Sequence, residues 1–187
     1  MPNDGNAWNN EFHQRKCIDR GIDQLSLNKE DIITITDCDE IPNYKILSDL
    51  KKNGLGEEIY IMEMELYYYN LECRGKDYIW PLAKILKYQK YLDTKNPQYI
   101  RNNSNGIIKN GGWHFSYFGD VSFIKNKIQN FSHQEFNDDR FLDDELIKRQ
   151  IHKCDDLFLR DNKNFHNFQK IKLEENENLP KNYKMLL

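Results

Sequence analysis

The chain has 187 residues, 39% of them hydrophobic and 13% aromatic, enough to bury one core and too few for two full domains. Its 27 basic and 30 acidic residues leave a net charge of -3, which gives no general attraction to nucleic acid or to an anionic membrane, and no long basic stripe supplies one locally. Cys17, Cys38, Cys73 and Cys154 are scattered without a C-x-x-C pair, so reduced structural thiols are expected. No stretch approaches the ~20 apolar residues of a membrane span, and no signal core opens the chain, which reads as soluble with a cytoplasmic or unassigned location.

In chain order, residues 6–19 suit a helix, with Trp8 and Phe12 one turn apart and Gly21 as its stop. Ile32 to Thr36 is apolar or β-branched at every position, the pattern of a central parallel strand buried on both faces. Pro42 suits a first helical turn, and a helix over 44–52 places Ile46, Leu47 and Leu50 on one side before Asn53-Gly54 ends it. "EEIYIMEMELYYYN" reads as a long strand, residues 81–93 as a helix, Ile107 and Ile108 as a short strand and "GGWHFSYFG" as another. Helices over 121–130 and 139–152 follow, and the tail from about 172 to 187 reads as a loosely packed extension. Such alternation argues an α/β fold with a largely parallel central sheet in one domain spanning 1–187.

Two segments carry chemistry. In "ITITDCDEIP" the strand runs into Asp37, Asp39 and Glu40, at the carboxyl end where open α/β sheets bind ligands. Carboxylates so close repel one another, and either a cation or a solvated turn must compensate. Two of them one residue apart on a turning backbone suit a hard divalent ion that keeps positions open for phosphate oxygens and water; an acidic surface turn is the plainer alternative. Ile41 and Pro42 stand where an EF-hand loop needs an oxygen ligand and glycine, and the pattern of a D-x-D-x-[TV] phosphohydrolase is broken by Ile41. In "NGGWHFSYFG" the glycines let a backbone pass close to a ligand, while Trp113, Phe115, Tyr117 and Phe118 lie beside the polar groups of His114 and Ser116. Sugars are bound by such mixtures, although an aromatic strand is more often core and a lone histidine more often a satisfied interior group than a ligand. His133 and Glu135 in "FSHQEFND" supply either a base or a solvated edge.

Taken in order, "AWNNEFHQR", "ITDCDEIP", "MELYYYN", "NGGWHFSYFG", "FSHQEFND" and "CDDLFLRD" resemble the successive blocks of glycosyltransferase family 17, the family of β-1,4-mannosyl-glycoprotein 4-β-N-acetylglucosaminyltransferases. The resemblance implies a GT-A type fold, UDP-N-acetylglucosamine as donor, a glycan acceptor of the protein N-glycosylation type, inverting transfer and a divalent cation such as Mn²⁺. Carried over by position, Asp37 and Asp39 match the acidic metal and nucleotide motif, and Trp113, His114 and Ser116 match a W-H-x-S block. This implies Asp37, Trp113, Ser116 and Tyr117 at the substrates and Asp37, Asp39 and His114 around the metal. Inverting transfer needs a carboxylate base, and Glu135 and Asp144, which both follow the aromatic strand, are the candidates. The chain opens close to the first of these blocks, where the family pattern carries a further segment. The expectations are therefore an N-terminal shortening, a second chain supplying the remainder, or a catalytically silent carbohydrate-binding remnant.

Overall fold

The computed structural model describes residues 5–160 and 167–186, so Asp161 at the end of "CDDLFLRD" and the terminal Leu187 lie outside the described residues. Two short helices, α1 (Ala7–Lys16) and α2 (Ile18–Ile22), precede strands β1 (Ile32–Ile35) and β2 (Glu40–Pro42) and helix α3 (Tyr44–Asn53). Then come β3 (Tyr60–Tyr68), β4 (Cys73–Trp80), β5 (Lys84–Lys87), α4 (Tyr88–Thr94), α5 (Pro97–Asn102) and β6 (Gly106–Ser116). Helices α6 (Val121–Asn130) and α7 (Asp144–Lys153) and the short strand β7 (Phe168–Lys170) follow. Side-chain caps explain many of the helix starts: Asn43 accepts from the Lys45 amide, Asp120 from Phe123 and Asp143 from Leu146. Gly54 ends α3 at φ 84°, a left-handed conformation suited to glycine.

The strands pair in the order β1-β5-β3-β4-β7, with β6 beside both β3 and β2. β1 with β5, β3 with β5 and β4 with β7 are antiparallel. β6 runs parallel to β3, because the Asn105 amide donates to the Ile59 carbonyl and the Tyr69 amide to the Ser116 carbonyl, so the numbering rises together on both. The sheet is thus mostly antiparallel with some parallel pairing, which corrects the expectation of a largely parallel one. β1 stands at one end of the strand order, with Thr34 exposed and Ile32 and Ile33 only half-buried. A run of β-branched residues does not separate a central strand from one that is covered unevenly. The helix expected over 81–93 is instead β5 followed by α4, because Ile85 and Leu86 point into different clusters and so need a strand's alternation. Gly21 lies inside α2 rather than ending α1.

By contact density the chain forms two compact units, residues 1–64 with 80–112 and residues 65–79 with 113–187. In the first, one cluster gathers Ile22, Ile35, Ile59, Leu86, Tyr91 and Ile100, and another gathers Leu55, Met62, Met64, Ala83 and Ile85. Neighbouring positions of β5 thereby face opposite sides of the sheet. A Cβ at Gly112 would lie 2.2 Å from the Ile41 carbonyl oxygen, so the glycine pair of β6 here serves a close approach of backbone to backbone.

In the second unit Tyr68, Tyr69, Tyr117, Ile124, Ile147 and Phe158 belong to the larger cluster, and Tyr67, Leu71, Trp113 and Phe115 form a smaller one. Leu173, Leu179 and Tyr183 of the tail pack on that smaller cluster, and the Asn178 side chain donates to Glu65 at 2.8 Å. Cys73, the first residue of β4, and Cys154, the left-handed cap of α7, form a disulfide with Cα atoms 5.4 Å apart. This corrects the expectation of four reduced thiols. Nothing local announces a pair 81 residues apart. A thiol count on the denatured, unreduced chain is expected to give two free cysteines, Cys17 and Cys38. Reduction should lower the unfolding free energy by about 4 kcal/mol, as the closure entropy of so long a loop implies; four thiols, or equal denaturation curves, would contradict the link.

Candidate functional site

The acidic turn sits between β1 and β2 in the first unit. Its backbone closes when the Glu40 amide donates to the Asp37 carbonyl at 3.0 Å, and the Asp37 amide donates back to Glu40 Oε2 at 2.8 Å. Glu40 is 2% exposed and belongs to β2, so it does not serve a helix start as its neighbour Pro42 suggests. A carboxylate so buried needs partners for both oxygens. Arg101, from α5, supplies them as a fork: Nη1 to Oε2 at 3.0 Å and Nη2 to Oε1 at 2.8 Å. The Trp80 indole N–H adds a second bond to Oε1 at 2.6 Å. Burial alone would raise the Glu40 pKa, but the Arg101 hydrogen bonds and charge outweigh it and hold the carboxyl below its ordinary range.

Asp37 is arranged differently. Its Oδ2 accepts from Arg101 Nη2, while Oδ1 has Arg15 Nη2 at the longer distance of 3.4 Å, and the side chain is 42% exposed. Arg15 is itself held by Glu11 at 3.0 Å and by Gln98 at 2.6 Å. Burial raises the Asp37 pKa, reinforced by Glu40 and opposed by the two guanidinium groups, and the balance lies above the ordinary value. Asp39 is half-buried on the same turn, two residues further on.

The donors decide whether a divalent cation suits this turn. The partly exposed carboxylate of Asp37 and that of Asp39, with one residue between them, are hard ligands, and Mg²⁺-like ions take one or two carboxylates together with phosphate oxygens and water. They fit such an ion as a site completed by substrate. Glu40 does not, since both of its oxygens are committed. Among the described residues no group of three His, Cys, Asp or Glu side chains is arranged to hold a metal by itself.

The other sequence candidates lie in the second unit. Trp113 is 7% exposed and its indole N–H donates to the Asn178 carbonyl, while Tyr117 is 6% exposed and packs against Tyr68 and Phe158. Both rings are therefore engaged in packing, in two different clusters. His114 and Ser116 are buried in β6. Glu135 lies on the surface with His133 Nδ1 at 2.7 Å. Its slight burial would raise its pKa, but the bond to His133 outweighs this and lowers it. Asp144 pairs with Lys125 at 2.7 Å, and the hydrogen bond and charge of Lys125 lower its pKa. It lines an open groove of about 460 Å³ with Asp120, Ser122, Lys125, Asn126 and Gln129.

Arg101 escaped the sequence reading. It lies 61 residues from Glu40, and the only cue was the turn's own need for a cation. Lys84 escaped it too. This lysine is 2% exposed, with Nζ donating to the carbonyls of Pro81 at 2.7 Å and Leu82 at 3.1 Å. Burial, helped by the charge of Arg101 and opposed by Glu40, lowers its pKa from 10.5 to about 8.

Two predictions follow from these partners. Glu40→Ala leaves the Arg101 guanidinium buried without its main counter-charge and is expected to cost about 3–5 kcal/mol of unfolding free energy in urea; Asp144→Asn, on the surface, should leave the denaturation midpoint where it is. An equal effect of the two variants would contradict the buried clamp. The unfolded chain keeps the Lys84 proton up to pH 10.5 and the folded chain only to about 8, so the unfolded state binds more protons across that window. The contribution of this site to stability therefore rises from pH 8 to 10.5. Relative to Lys84→Met, the wild type should gain stability over that range in parallel melts, and superimposable pH profiles would refute the assignment.

Searches among curated proteins and among solved structures gave no match. Among the described residues no helix is long and apolar enough to cross a membrane. The sequence profile of Glycosyltransferase family 17 matches residues 1–185, nearly the whole length that carries the acidic turn, the aromatic strand and the carboxylates after it, and the chain belongs to that family.

Proposed function

We propose that the protein transfers N-acetylglucosamine from UDP-N-acetylglucosamine to a hydroxyl of a glycan acceptor, with inversion at the anomeric carbon and with a divalent cation such as Mn²⁺. The observation that carries this reading is the pair Asp37 and Asp39 on the turn after β1 in a chain of this family, with one Asp37 oxygen held inside and its side chain 42% exposed. A GT-A type arrangement of the donor site, with the nucleotide at the carboxyl end of a strand, is part of the same proposal.

Each residue has a limited task. Asp37 and Asp39 present hard oxygens to the ion, and a bound ion supplies neutralisation of the charge that develops on the departing diphosphate. Inversion needs one base and no covalent intermediate. Asp144, ionised at neutral pH and lining a groove whose hydroxyl, amide and charged groups suit a sugar's hydroxyls, is the favoured base; Glu135, oriented by His133, is the alternative. Trp113, His114, Ser116 and Tyr117 give the acceptor side a rigid packed support, in keeping with their burial.

Calorimetric titration with UDP, with and without Mn²⁺, tests the donor site. Asp37→Asn and Asp39→Asn are each expected to weaken Mn²⁺-dependent binding by at least about tenfold, since one of only two protein ligands is lost, with the circular dichroism spectrum retained. Full Mn²⁺-dependent affinity in both variants would remove the turn from the proposal.

A further inference from the structure

We infer that Arg101 is the positioning residue of the acidic turn, fixing which oxygen of Asp37 is presented to a divalent cation. The inference rests on the reading of Asp37 and Asp39 as cation ligands. Arg101 is 4% exposed, too deep to meet a nucleotide sugar, and it acts through the carboxylates it holds. Its Nη2 bonds both Glu40 Oε1 and Asp37 Oδ2, so one planar group ties the buried end of the turn to the exposed one. With Oδ2 held by Arg101, Oδ1 has, among the described residues, the longer 3.4 Å contact to Arg15. Arg101 offsets part of the charge of Asp37 and Glu40, and Arg15 adds to that at Asp37. Without the guanidinium the carboxylates would repel, and the turn would have no reason to keep one Asp37 oxygen aside.

A fork is required because a lysine ammonium is a point charge that cannot reach both Glu40 oxygens and Asp37 in one plane. The test is therefore a comparison of Arg101→Lys, Arg101→Met and wild type by the electron paramagnetic resonance signal of free Mn²⁺ in the presence of UDP, with thermal melts alongside. Arg101→Lys is expected to stay folded and to bind Mn²⁺ about 10–100-fold more weakly, the usual cost of losing a partner that orients a ligand. Arg101→Met should be weaker again, and if it fails to fold, the lysine variant carries the test alone. UDP affinity without Mn²⁺ should be the same in all folded variants, which a general loss of structure would not give. Wild-type Mn²⁺ affinity in Arg101→Lys overturns the positioning role while leaving the donor site standing. A wild type whose UDP does not recruit Mn²⁺ overturns the donor-site reading and this role with it.

Discussion

One guanidinium organises the acidic turn after β1. Arg101 holds Glu40 by two hydrogen bonds and Asp37 by a third, and Trp80 completes the shell around Glu40. Burying a carboxylate is unfavourable unless it is paired and fully hydrogen-bonded. That condition fixes where α5, β2, the end of β4 and the turn after β1 can lie within their unit. The same pairing ties the buried Glu40 carboxylate to the partly exposed Asp37.

The second unit solves a different problem. Its tyrosine-rich and phenylalanine-rich clusters bury rings whose hydroxyls and indole N–H need partners, and several of those are found on the chain itself. Tyr69 donates to the Asp155 carbonyl, Tyr67 to Glu65, and Trp113 to Asn178. The Cys73–Cys154 link ties β4 to the end of α7 in the same unit. The open groove beside Asp144 lies in this unit as well.

Local chemistry was legible in the sequence and long-range pairing was not. The helix 44–53 was readable from its apolar spacing and the Asn53-Gly54 stop, helix 121–130 from its own periodicity, and the acidic turn from three carboxylates after a β-branched run. Strand direction was obscured because Ile32 to Thr36 carries the same residue types in an uneven antiparallel setting as in a central parallel one. β4 was hidden by the charges in "CRGKDYIW", and β5 by its apolar pairs, which also fit a helix. The glycines of "NGG" read as room for a ligand, whereas Gly112 makes room for the Ile41 carbonyl. Arg101 and Lys84 had no sequence signal of burial, since their partners are set by the fold.

The proposed cation of a UDP-sugar site lies at the turn of residues 37–40. Paramagnetic broadening of backbone amide resonances by Mn²⁺, recorded with UDP present, tests it most directly, because broadening falls steeply with distance from the ion. The amides of Asp37, Cys38 and Asp39 are expected to vanish first, and a diamagnetic Mg²⁺ control should leave them visible. Broadening centred on the groove at Asp144, or on no folded segment at all, would contradict it.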